Sequence, residues 1–177
     1  MAAIAARDIG APLPKVWLRI DIDGEPAGIV TFVLRADVAP RASENFRGLC
    51  TGEYGRGRLT GKPLSFAGTA FFRIIPGMMA VGGDIENNDG TGGECVFEQG
   101  KGALAEGRLA DESFLLRHTG RGVLSTAVHR GPDTGASAFN LTFAPCRLLD
   151  ERAVVFGYAV AGREVLDRLE ACGDAAG

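Results

Sequence analysis

Residues 71–84 read Phe71-Phe72-Arg73-Ile74-Ile75-Pro76-Gly77-Met78-Met79-Ala80-Val81-Gly82-Gly83-Asp84, and no other stretch narrows the fold as far. An aromatic, β-branched run predicts a strand over 71–75. Pro-Gly then makes a turn, and an apolar patch leads into a second turn at Gly-Gly-Asp. Short apolar runs between turn residues recur along the chain, and its 26 glycines favour many turns and a β-rich fold. With 177 residues, 46% hydrophobic and 23% charged, the chain has the size of one domain and can bury a core.

Val16, Leu18, Ile20 and Ile22 alternate with mainly polar neighbours, which predicts a half-buried strand over 16–22. Asp23-Gly24-Glu25-Pro26 is a turn, and 28–34 reads as the return strand of a hairpin. Pro40 suits the first turn of a helix in which Ala42, Phe46 and Leu49 recur at helical spacing, stopped by Thr51-Gly52. A second helix is expected over 163–172, with Val165, Leu169 and Cys172 on one stripe and Gly173 as its stop. Apolar runs at 122–127, 139–143 and 153–160 supply further strands. The stretches 52–69 and 90–110 are rich in glycine and read as long loops, which are often functional. Residues 1–14, rich in alanine and proline, read as an N-terminal arm before a domain over 15–177. Two helices and many short strands joined by turns indicate a mainly β barrel or sandwich.

The net charge of −3 argues against direct nucleic-acid binding. No stretch approaches the roughly 18 apolar residues of a membrane span, and residues 1–8 are too short and interrupted for a secretory signal. Cys50, Cys95, Cys146 and Cys172 show neither C-x-x-C spacing nor the density of a disulfide scaffold, so a reduced intracellular compartment is expected. No Cys/His cluster has metal-ligand spacing, and neither a metal nor a cofactor is expected. Gly82-Gly83-Asp84 and Gly90-Thr91-Gly92-Gly93 lack the lysine and following helix of a phosphate loop.

The 71–84 segment resembles the signature of the cyclophilins, peptidyl-prolyl cis-trans isomerases with a β-barrel fold. The likeness extends over 16–173. Residues 39–46 look like the family's first helix, 89–93 like its glycine turn, 116–120 with 122–125 like the strand entering the active face, and 154–157 like a late core strand. Cys50-Thr51-Gly52-Glu53 with Leu59-Thr60-Gly61-Lys62-Pro63-Leu64 resembles the longer-loop, or divergent-loop, subgroup. The resemblance implies an antiparallel eight-stranded β-barrel capped by two α-helices. It also implies a final strand after the second helix, for which this sequence shows no counterpart. The outer edge of 16–22 is therefore expected to be covered by the arm or by a partner. Cys50 matches a cysteine linked to redox control in that subgroup. Its usual partner lies in the absent strand, so free thiols are expected.

Isomerisation about an Xaa-Pro bond crosses a barrier of about 18–20 kcal/mol set by amide resonance. An apolar pocket for the ring and a donor that polarises the amide lower it, and a rigid, permanently charged guanidinium suits the donor. The resemblance assigns the catalytic role to Arg73 and substrate binding to Met78, Met79, Ala127, Asn140 and Leu149. Several positions depart from the family. Phe72 stands for a histidine, Met78 for a phenylalanine, and Val81 and Ala138 for two glutamines that bind substrate or the arginine. Asn140 stands for the phenylalanine of the pocket floor, Leu148 for the rim tryptophan or histidine, and Ala153 for a rim histidine. His129 is a rim candidate for substrate contact, whereas His118 reads as structural. Each lost contact costs on the order of 1–3 kcal/mol.

The expected function is thus a cyclophilin-like domain, weakly active or inactive, serving as a protein-binding or structural subunit of a larger assembly. The alternative is an active isomerase and folding catalyst. The resemblance implies a proline-containing peptide or protein segment as partner. It also implies a multiprotein assembly of the axonemal radial-spoke or spliceosomal kind, and a cytoplasmic location that includes the ciliary axoneme.

Overall fold

Alternation shapes the first strand as expected. In a computed structural model that describes residues 12–98, 104–128 and 131–174, strand β1 (Lys15–Ile22) buries Val16 and Ile20 and exposes Lys15, Trp17, Arg19 and Asp21. Asp23 and Gly24 both take positive φ, at 52° and 82°. That geometry fits a two-residue hairpin turn whose twist matches the strands it joins. The return strand is β2 (Glu25–Leu34). Helix α1 (Pro40–Thr51) follows, then β3 (Phe71–Ile75), β4 (Met79–Gly82), β5 (Val123–Thr126), β6 (Phe139–Thr142), β7 (Val155–Ala161) and helix α2 (Arg163–Ala171). The apolar patch after Pro76-Gly77 is thus a strand in its own right. Short 3₁₀ turns at Ala105–Gly107 and Arg147–Leu149 punctuate the loops.

The seven strands form one antiparallel sheet in the order β1-β2-β7-β5-β6-β4-β3. Val16 and Ile20 from one end strand and Phe71 and Ile74 from the other pack into the same core, so the sheet curls around it as a half-barrel. The mainly β, antiparallel, two-helix architecture is borne out, with seven strands among the described residues where the family pattern has eight. Of the arm, residues 1–11 lie outside the described residues. Its described end runs straight into β1, and the Leu34 N–H donates to the Pro14 carbonyl at 2.8 Å. Pro14 therefore extends the ladder on the β2 side. The other edge of β1 has no strand beside it among the described residues.

Phe46 of α1 occupies the middle of the core, with the rings of Phe32, Phe66, Phe139 and Phe156 centred 5.1–6.1 Å away. Edge-on and tilted contacts of this kind add to the burial of large apolar area. No side chain of the N-cap residue Ala39 serves the helix. Glu112 does so from 70 residues away, accepting from the backbone N–H of Ala42 at 2.7 Å and of Arg41 at 3.1 Å. Helix α2 buries Val165, Leu166 and Leu169 against the sheet. Gly28, with φ of +133°, lets β2 approach it, since a Cβ there would sit 2.7 Å from Val165. Arg121 fastens the outer side of α2, donating to Glu170 at 2.5 Å and to Asp167 at 2.6 Å.

The 52–69 loop is not free. The carboxylate of Glu94, itself 5% exposed, accepts from the backbone N–H groups of Arg58, Leu59 and Thr60 and from the Thr60 hydroxyl. The four cysteines carry free thiols. Burial pushes the Cys50 thiol up to about 12, with the Arg47 charge opposing it. A thiol with that value is not a reactive thiolate near neutrality.

Candidate functional site

The alternation of β4 splits its side chains between two surroundings. Ala80 points into the main core. Met79 and Val81 point the other way, into a separate small apolar cluster with Ala127 and Ala138, against which Phe72, Met78 and Leu149 also pack. The same parity sends Phe139 and Leu141 of β6 inward and leaves Asn140 on the far side. A cleft of about 720 Å³ opens here, lined by Arg73, Met79, Ala127, Asn140 and Leu149 among others. Five of the six residues expected to form the site therefore line one cleft, and Met78 packs against the same cluster.

Arg73 is exposed on β3, and its partner in the ladder is Val81. A valine offers no acceptor to hold a guanidinium. Among the described residues no hydrogen bond or ion pair engages the Arg73 side chain. Preorganisation of a donor depends on such second contacts, and none is found among the described residues. Val81 also pairs with Asn140 on its other side. Asn140 is 4% exposed, and its amide nitrogen donates to the Ser125 hydroxyl at 3.1 Å and to the Thr126 carbonyl at 2.9 Å. The polar floor is thus satisfied within the protein, and both of its amide hydrogens are spent there.

Apolar wall and charged rim complete the cleft. Phe72 lies over Gly90, whose φ is +88°, and a Cβ at Gly90 would meet that ring at 2.6 Å. Phe72 therefore serves as packing. Leu148, 73% exposed, is at the cleft mouth. Arg152 and Asp89 also line it. Arg152 was not singled out in the sequence, and Asp89 was read only as the first residue of the glycine turn at 89–93. Ala153 is 1% exposed and does not line the cleft, which corrects its expected place at the rim. There the 3₁₀ turn at Arg147–Leu149 folds the chain back and tucks Ala153 beneath, with its N–H donating to the Leu149 carbonyl. His129 lies outside the described residues.

The turn after β4 is built around an anion of its own. Asp84 is fully buried and accepts from the backbone N–H groups of Glu86, Asn87, Gly90 and Gly92 at 2.9–3.1 Å. Burial pushes its carboxyl up, but these four donors outweigh that and hold it below the ordinary carboxylate value. The glycines around it serve an internal carboxylate, so the donors of a phosphate cradle are already occupied. His118 is structural, as expected. It is 2% exposed and its Nδ1 lies 2.9 Å from Asp150. Burial lowers its pKa, with Asp150 partly opposing.

Residues 17–176 match the family model described as cyclophilin type peptidyl-prolyl cis-trans isomerase/CLD.

Proposed function

The chain belongs to the cyclophilin-type peptidyl-prolyl cis-trans isomerase family, and from that premise we propose that it is a binding module for proline-containing segments whose catalysis is weak or lost. Domains of this family bind proline-containing peptides, and isomerase-like function is the activity that the family carries. The observation that supports a weak catalyst is the setting of Arg73. It faces the cleft with Val81 opposite, while the neighbouring Asn140 amide is committed to Ser125 and Thr126. A donor without orienting contacts polarises the amide poorly. The apolar wall of Met79, Ala127 and Leu149 still accepts a proline ring, so binding outlasts turnover in this reading.

The module then serves as a subunit of a larger assembly, of the axonemal radial-spoke kind in the cytoplasm or of the spliceosomal kind. A second reading, an active folding catalyst, draws on the same Arg73, which remains exposed at the cleft. An isomerisation assay on Xaa-Pro peptides separates the two. The expected result is turnover close to the uncatalysed rate and little further loss in Arg73→Ala. Robust turnover abolished by that substitution would overturn the proposal. Purification of the native complex tests the assembly, since a chain recovered alone contradicts a subunit role.

A further inference from the structure

The outer edge of β1 carries a pattern that reads the same from either end. We propose that two copies of this chain pair along β1, antiparallel, about a two-fold axis through Leu18. Strand β1 is an end strand, paired to β2 alone among the described residues, and such an edge presents unpaired N–H and C=O groups to any second strand. The antiparallel two-fold centred on Leu18 sets Lys15 against the second copy's Asp21, Trp17 against its Arg19, Val16 against its Ile20, and Leu18 against itself. On the outward face this gives two ion pairs and two cation–π contacts. On the inward face it gives only branched apolar pairs. A closed two-fold interface requires this kind of self-complementarity.

The pattern also excludes the adjacent registers that keep the two faces matched. Centring on Trp17 sets Lys15 against Arg19, and centring on Arg19 sets that arginine against itself. Both oppose like charges, which is destabilising across a ladder. The side chains concerned are available. Trp17, the single tryptophan, is 61% exposed, and Arg19 and Asp21 form only a loose pair at 3.7 Å with side chains 67% and 44% exposed. Leu18 is half-buried at the margin of the core, where a second strand covers it.

Sedimentation velocity on the full chain, with Trp17 emission as a second readout, tests this. The wild type is expected to dimerise with rising concentration, with Trp17 emission moving to the blue. Lys15→Asp and Asp21→Lys each turn two opposed pairs into like-charge pairs and are expected to weaken the dimer by about tenfold or more. The double variant Lys15→Asp/Asp21→Lys restores both pairs and recovers most of the affinity. These side chains are exposed, so circular dichroism and Tm are expected to hold in all variants. A monomer at every concentration overturns the proposal. So does a double variant as weak as the single ones, or a dimer that none of the substitutions perturbs.

Discussion

Arg73 and Val81 face one another across the β3–β4 ladder, which makes the missing acceptor a one-residue difference. Val81→Gln is expected to raise kcat/KM for an Xaa-Pro peptide by about tenfold, the worth of roughly one oriented hydrogen bond. No gain in the same assay would show that orientation of Arg73 is not what limits turnover. By the resemblance, Leu148 takes the place of the rim tryptophan of drug-sensitive members, and it is 73% exposed. Cyclosporin is therefore expected to bind poorly, and Leu148→Trp to tighten it measurably by calorimetry. The 71–84 segment carries Arg73 and Met79, and the resemblance alone pointed to Ala127, Asn140 and Leu149; that all five line one cleft is what the fold adds. The Phe72–Gly90 contact and the Ser125 partner of Asn140 were not legible in the sequence, because they depend on which strands meet, and spacing along the chain does not encode that.

Helix α1 takes its start from Pro40 and its stop from Gly52, whose φ of 70° suits glycine at a helix end. Its bounds were therefore readable. Its cap was not, for Glu112 arrives from a distant loop. Glu112→Ala is expected to cost about 1 kcal/mol, seen as a fall of roughly 2–4 °C in Tm. An unchanged Tm would mean that water serves those two N–H groups equally well. The alternation of β1 and the hairpin turn at Asp23-Gly24 were plain because half-buried antiparallel strands advertise their faces. Strand β4 hid behind its composition. Met79, Ala80, Val81 and Gly82 are all buried, one face by the main core and the other by the small cluster, so no polar alternation marks them.

Across the whole molecule, three buried or bonded groups share one direction of response to acid. Burial lowers His118 from its ordinary value of 6.5, against the pull of Asp150. Hydrogen bonds from the His118 backbone and ring lower Asp150, and the four loop N–H groups lower Asp84, each from 3.8. In every case the unfolded chain binds protons more readily, so stability is full above the ordinary value and is lost as pH falls through the folded one. Asp111, raised by burial, works the other way and offsets part of this. Urea midpoints are expected to decline first below about pH 6.5 as His118 titrates and again below about pH 4, with Asp84→Asn flattening the second step. A midpoint level from pH 7 to pH 3 would contradict this assignment. The two apolar clusters carry a different consequence. Because the cleft side chains form a set apart from the main core, substitutions can accumulate among them while the scaffold keeps its shape. Such a chain can trade one trade for another over evolutionary time, and the same partition offers a designer a rigid frame on which a new specificity can be written.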